Sequence, residues 1–432
     1  MNSTPWLLFN LILLLAGSSF PKAADRPNII LIVADDIGYS DLGCYGSEIE
    51  TPNLDKLGFE GLRFTEYYNM AKCETTRTAL HTGRFKPGKN AENSIPFSSL
   101  MHDAGYYTAM VGKEHFQSWV PARCFAVNAF EDSFVFWKIN SFFVRPETGE
   151  FEYPFRLNGA PIAPENMDVR QKPIFKTDVM TNYALRFIDK ADAQNKPFFL
   201  YLPYHVAHYP LQARPEDIAK YRGKYKVGWD AIREQRYARQ QELGVIPENA
   251  RLSPPEGNIN KFRGPYRGDI YSYRPWDTLD AAEQDELDLE QAVFAAMIDR
   301  LDQNIGRIVR KLEDIKEREN TLILFFTDNG SCPYDSNRDF DIPPGPAESY
   351  RTLCAAWALV GDTPFRYYKQ YGHEGGSHTH FIANWPEVIK PGINDSPAHL
   401  TDIYPTMLEL AGTTYPAALD GKLIPTLDGE SL

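Results

Sequence analysis

Cysteine is scarce: five in 432 residues, at positions 44, 73, 124, 332 and 354. That is too few for a fold held by disulfides. The odd number leaves at least one thiol unpaired or modified. Basic residues are outnumbered, 45 Lys and Arg against 58 Asp and Glu, for a net charge of −13. A nucleic-acid binder carries a basic field, so no nucleic-acid partner is expected. An anionic substrate would need positive charge concentrated at its site. Beyond the N-terminus no run is apolar enough to span a membrane. The run there, Trp6 to Gly17, is shorter than the ~20 residues a spanning helix needs. With the small residues of AGSSFPKAAD after it, it reads as an export signal over residues 1–24. The mature chain is then periplasmic, secreted or lumenal, with no membrane span expected. Internal repeats of fixed period are also absent, as are low-complexity tracts beyond proline-rich patches.

What the chain does have is a set of apolar runs that end in polar residues. RPNIILIVADD, residues 26–36, closes on Asp35 and Asp36. NTLILFFTDNG, 320–330, closes on Asp328 and Asn329. KPFFLYLPYHVAHYP, 196–210, leads to His205 and His208, and YYTAMVGKEH, 106–115, to Lys113 and His115. Each reads as a strand buried on both faces. Helical patterns lie between them: NLDKLGFEGLRF, DVMTNYALRFIDKA, and a long amphipathic one over 286–317. Alternating strands and helices predict an α/β fold, a large mostly parallel sheet with helices on both faces. Ligands of such sheets bind at the C-terminal strand ends. Residues 212–285 are rich in Arg, Tyr, Pro and Glu and read as an insertion of short helices and loops.

Asp35, Asp36, Asp328 and Asn329 offer oxygen alone, which suits a hard divalent cation and not zinc. The plainer reading is that each pair caps a turn. In AKCETTRTALHTGR, 71–84, Cys73 opens a predicted helix, with Arg77 one turn on along the same face. A helix N-terminus and a guanidinium favour an oxyanion. The plainer reading of Cys73 is a small buried hydrophobe.

Six motifs in this chain resemble, in order, those of the sulfatases, in particular the arylsulfatase-like group of the alkaline-phosphatase-like superfamily. They are PNIILIVADD, CETTR with TALHTGR, GKEH, PFFLYLPYHVAHYP, FTDNG and KQYGHEGG. The resemblance covers about residues 26–432, implying one catalytic domain over 25–432. It implies hydrolysis of sulfate esters in a sulfated small molecule or carbohydrate. Cys73 would be converted to formylglycine by a formylglycine-generating enzyme during maturation. A hydroxyl of the hydrated aldehyde, held by the metal, would attack sulfur, and the other would let the sulfate go. Asp35, Asp36, Cys73, Asp328 and Asn329 would hold a divalent metal, Ca²⁺ favoured over Mg²⁺. Arg77 would steady the diol, and Lys113 and Lys369 the sulfate oxygens. His115 would assist proton removal as sulfate leaves, and His208 would protonate the leaving oxygen. His205, His373, His378, His380 and His399 are left as structural or pocket-lining.

The chain departs from the family pattern in three places. Thr75 stands where the nucleophile motif has proline, which predicts incomplete conversion of Cys73. The segment after Glu-Gly-Gly, SHTHFIANWP, carries His378 and His380, with polar contacts to substrate the expectation there. The chain stops at TLDGESL, where the family continues into a small antiparallel C-terminal subdomain, so that subdomain is expected to be truncated. Two other readings stay open. One is a phosphodiesterase or phosphonate hydrolase on the same fold; the other is a degenerate sulfatase homologue without catalysis.

Overall fold

The apolar runs form the middle of one mixed sheet of eleven strands. A computed structural model describes residues 26–85, 93–117, 120–137, 141–144, 155–255 and 273–432. The expected export signal and residues 256–272 of the expected insertion lie outside it. In chain order the strands are β1 (Asn28–Ala34), β2 (Leu62–Tyr68), β3 (Tyr107–Lys113), β4 (Asp132–Phe136), β5 (Arg156–Leu157), β6 (Ala160–Pro161), β7 (Phe198–Pro203), β8 (Thr321–Thr327), β9 (His378–Asn384), β10 (Gly392–Asn394) and β11 (Ala398–His399). Across the sheet they run β10-β2-β9-β8-β1-β7-β3-β4-β5-β6, with β11 also beside β2.

The central strands β8, β1, β7, β3 and β4 are all parallel, so their C-terminal ends open on one edge. β9 runs against β8 and β2, and β5 and β6 finish the far side antiparallel. A two-stranded antiparallel pair, β12 (Ala418–Leu419) with β13 (Lys422–Leu423), stands apart near the C-terminus.

Alternation along β1 explains why its run is unbroken by polar residues. Ile30, Ile32 and Ala34 face one core, with Leu200, Leu202, Ile323 and Phe325. Ile29, Leu31 and Val33 face the other, with Phe199, Tyr201, Leu322 and Leu324. The first face is covered by the helices Lys176–Ala193 and Ala281–Asp314, and the second by Cys73–Thr82, Phe97–Asp103 and Ile403–Ala411. Both faces are therefore dry, as a parallel sheet requires. The long helix was expected over 286–317 and spans 281–314, because Asp280 and Glu283 form a capping box one turn earlier.

One expectation needs correction. NLDKLGFEGLRF was read as a single helical pattern, but the helix is Pro52–Phe59 and Leu62–Phe64 already belong to β2. Gly61 marks the break: a Cβ there would stand 2.5 Å from the Ala383 carbonyl oxygen on β9, so close approach of two backbones overrides helical periodicity. Among the described residues no helix is long and apolar enough to cross a membrane.

Candidate active site

The parallel sheet brings the polar strand ends together. Asp35 and Asp36 follow β1, Asp328 and Asn329 follow β8, Lys113 ends β3, and His205 and His208 follow β7. Pairing continues past the strands: Asp328 N–H donates to the Ala34 carbonyl at 3.1 Å and Asp35 N–H to the Val206 carbonyl at 2.8 Å. The carboxylates are thus fixed by backbone. Asp36 adopts φ 65°, a left-handed conformation that Asp tolerates better than most residues.

As expected from the sequence, Cys73 is the first residue of a helix, Cys73–Thr82, and Gly83 ends it in the left-handed conformation. The helix is tied to β8 by Thr76, whose hydroxyl donates to the Asp328 carbonyl at 2.7 Å. Lys369 arrives from a turn. Its N–H donates to Ser331 O at 3.1 Å and that of Gln370 to Ala71 O at 2.6 Å, which pins the turn beside the Cys73 loop. Gly330 permits this crowding, since a Cβ would lie 1.8 Å from the Gly375 carbonyl oxygen.

A single pattern runs through the carboxylates. Asp35 Oδ2 accepts from Lys113 Nζ at 2.6 Å and meets His205 Nδ1 at 2.9 Å. Asp36 Oδ1 accepts from Asn329 Nδ2 at 2.7 Å and from Lys369 Nζ. Asp328 Oδ2 accepts from Arg77 Nε at 2.8 Å. In each, the other oxygen is buried without a hydrogen-bond partner among the described residues: Asp35 Oδ1, Asp36 Oδ2, Asp328 Oδ1, and likewise Asn329 Oδ1. Buried oxygens are seldom left so. Ligand atoms of Asp35, Cys73 and Asp328 lie within 4.8 Å of one another. A hard cation among these oxygens would satisfy all four, so the residues present fit the expected metal.

Electrostatics agree. Asp35, Asp36 and Asp328 are balanced by Arg77, Lys113 and Lys369, all buried. A divalent cation would give the cluster a surplus of two positive charges, enough to attract an oxyanion into an acidic protein. Burial opposes the charge of Asp35, but Lys113, His208, His205 and Arg77 hold its carboxyl well below the usual range. Burial and the neighbouring Asp35 charge push Asp328 upward. Burial also raises the Cys73 thiol above its ordinary value, so unmodified Cys73 stays a thiol at neutral pH.

The two histidines stand next to these groups. His115 Nδ1 is 3.6 Å from Cys73 Sγ, and burial, with Lys113 and Arg77 nearby, holds its ring neutral. His208 Nδ1 donates to the Tyr209 carbonyl at 2.7 Å, and its Nε2 points to Asp36 Oδ2 at 3.8 Å. Burial pushes His208 down to about 4. Every site residue expected from the sequence therefore falls in this one cluster.

Other expectations fare differently. His378 bonds Glu374 Oε2 at 2.7 Å and the Thr65 carbonyl at 2.5 Å, which uses both ring nitrogens inside the protein. His380 is fully buried and stacks on Phe325, with its pKa pushed down to about 3 by burial. Neither is presented to a substrate. All five cysteines are unpaired. Two neighbours of the cluster were not singled out as site residues. His205 orients Asp35, and the buried thiol of Cys332 lies beside Asp36 and Lys369. Their positions just beyond the β7 and β8 runs were the signal.

Comparison with known proteins places this geometry. A family model described as Sulfatase matches residues 27–413. An uncharacterized sulfatase of Schizosaccharomyces pombe is 33% identical, over 92% of this chain and 77% of that protein. An arylsulfatase of Klebsiella aerogenes is 28% identical, over 97% of this chain and 94% of that one. The crystal structure of Ps i-CgsB in complex with k-i-k-neocarrahexaose shares the fold at a TM-score of 0.60 and 24% identity, covering 90% of this chain and 73% of that one.

Proposed function

The chain belongs to the sulfatase family and is a sulfuric ester hydrolase; from that premise we propose that it cleaves its ester through a formylglycine made from Cys73. The observation that carries this reading is the set of four buried oxygens without partners among the described residues, two of them from Asp35 and Asp328 grouped with Cys73, together with the buried cations Arg77, Lys113 and Lys369. Asp35, Asp36, Asp328 and Asn329 would hold a divalent cation, which supplies positive charge that acidifies the attacking hydroxyl and offsets the sulfate. Four fixed protein oxygens suit Ca²⁺ better than Mg²⁺, which keeps several of its waters.

Hydration of the residue-73 aldehyde gives a geminal diol. One hydroxyl attacks sulfur as its proton is lost to solvent, and the S–O bond to the alcohol breaks. His208, neutral at rest with its Nδ1 proton on the Tyr209 carbonyl, takes a proton from solvent at Nε2 as the sulfate anion binds and gives it to the leaving oxygen. Lys113 and Lys369 hold the sulfate oxygens, and Arg77 steadies the charge at residue 73. Sulfate is now esterified to residue 73. His115, beside that side chain, takes the proton of the second hydroxyl. The C=O bond re-forms, the C–O bond to sulfate breaks, and water restores the diol. A serine would stop at the sulfate ester, with no second hydroxyl to expel it.

The substrate is a sulfated small molecule or carbohydrate. Maturation needs a formylglycine-generating enzyme, and residues 1–24 direct the chain out of the cytoplasm. Residues 25–432 act as one catalytic domain with 212–285 inserted. The test is sulfate ester hydrolysis by protein made alongside the modifying enzyme. Cys73→Ala should lose activity and keep its metal; undiminished activity in that variant contradicts the reading.

A further inference from the structure

Phe136, the last residue of β4, is the register partner of Lys113. Trp137 comes next, so it leaves the sheet at the edge that carries the active-site cluster. Its backbone is anchored by Phe136, which is buried and packs edge-on to His205 at 5.8 Å. Trp137 itself is 42% exposed, the one tryptophan among the exposed large hydrophobic residues of the described chain. Its indole meets the His115 ring edge-on at 5.6 Å and 78°. His115 in turn reaches Cys73 Sγ. One imidazole therefore separates the residue-73 side chain from a part-exposed indole. Across β3, after β7, Tyr209 packs on His208 at 4.2 Å. Both proposed proton-transfer groups thus carry an aromatic neighbour.

Scattered exposed hydrophobic residues need no explanation. An indole at the mouth of a buried polar site is different, because it offers a flat apolar face next to the reacting atoms. We propose that Trp137 is a substrate-contacting residue that stacks on the ring of the leaving alcohol, so that the site selects sulfate esters carried on a ring over those on a linear chain. The ring is that of a sugar or an aryl group. The inference rests on the sulfatase reading above and narrows its substrate class.

The experiment compares wild type, Trp137→Ala and Trp137→Phe on 4-nitrophenyl sulfate, glucose 6-sulfate and octyl sulfate. Trp137→Ala should raise KM for the ring esters roughly tenfold, leave kcat within about twofold, and spare octyl sulfate. Trp137→Phe should restore most of the loss. A rise for one ring ester alone supports the proposal and identifies which ring the site takes. Equal losses for all three, or a fall in kcat with KM unchanged, would overturn it, since they point to a role only in placing His115. A second readout is the binding of both ring esters to Cys73→Ala protein by calorimetry. Adding Trp137→Ala should weaken it roughly tenfold, and an unchanged Kd overturns the proposal whether or not the wild type turns over. Wild-type protein that hydrolyses none of the three esters counts instead against the sulfatase reading.

Discussion

Removing the divalent cation should cost this protein stability as well as activity. Four buried oxygens, from Asp35, Asp36, Asp328 and Asn329, have no hydrogen-bond partner among the described residues. Each unsatisfied buried polar group costs on the order of 1–3 kcal/mol. Relief of that cost is available to the folded state alone, because the unfolded chain does not assemble the four oxygens. A cation present a thousandfold above its Kd should therefore stabilise the fold by about 4 kcal/mol. For a chain of this size that is a rise in Tm of roughly 5 °C. The assay is calorimetric unfolding of chelator-treated protein, verified metal-free, with Ca²⁺ or Mg²⁺ titrated back. Ca²⁺ should raise Tm further than Mg²⁺ at equal concentration. Asp36→Ala should abolish the response. A Tm indifferent to both ions, or stoichiometric zinc at these residues, would refute the reasoning.

Two further outcomes can be checked. His208→Ala should slow poor leaving groups by about 10²–10⁴ and 4-nitrophenyl sulfate far less, because nitrophenolate departs without a proton; equal losses on both would assign His208 to binding instead. Glu290 is fully buried in the long helix, and desolvation raises its pKa from 4.5 to about 7. A carboxyl raised in the folded state stabilises fully at pH below 4.5 and progressively less as pH climbs through 7. Glu290→Gln should therefore be more stable than wild type at pH 8, by at most about 3 kcal/mol, and nearly equal to it at pH 5. Urea unfolding at both pH values measures the difference, and a variant weaker at pH 8 contradicts the account.

The strands that carry the expected metal ligands were legible because burial on both faces leaves an unbroken apolar run. β2 was not, since the helix before it ends only three residues earlier, at Phe59, and its first residues continue the helical spacing. β9 was hidden by His378, Thr379 and His380, polar residues that the core buries at the sheet centre. β4 was missed because five residues give little alternation to read. The clustering of Asp35, Asp36, Asp328 and Asn329 followed from the rule that sites gather at strand ends. Lys369 could not be found that way. It stands in a turn that is held beside the cluster by its own backbone bond to Ser331 and that of Gln370 to Ala71, contacts distant in sequence, so only the family motif revealed it. His205 and His208 lie three residues apart after β7; the sequence could not say which orients Asp35 and which faces Asp36.

The central claim is that residue 73 acts as an aldehyde, and the mass of the peptide containing it tests this most directly. Thr75 lies in the first turn of the helix that Cys73 opens, where proline is tolerated, so Thr75→Pro should leave the fold intact. Protein made alongside the modifying enzyme should show the formylglycine mass in part of the wild type and in a larger part of Thr75→Pro. Sulfatase activity should rise in the same proportion. Sulfate ester hydrolysis by protein in which residue 73 is wholly unmodified cysteine would contradict the mechanism.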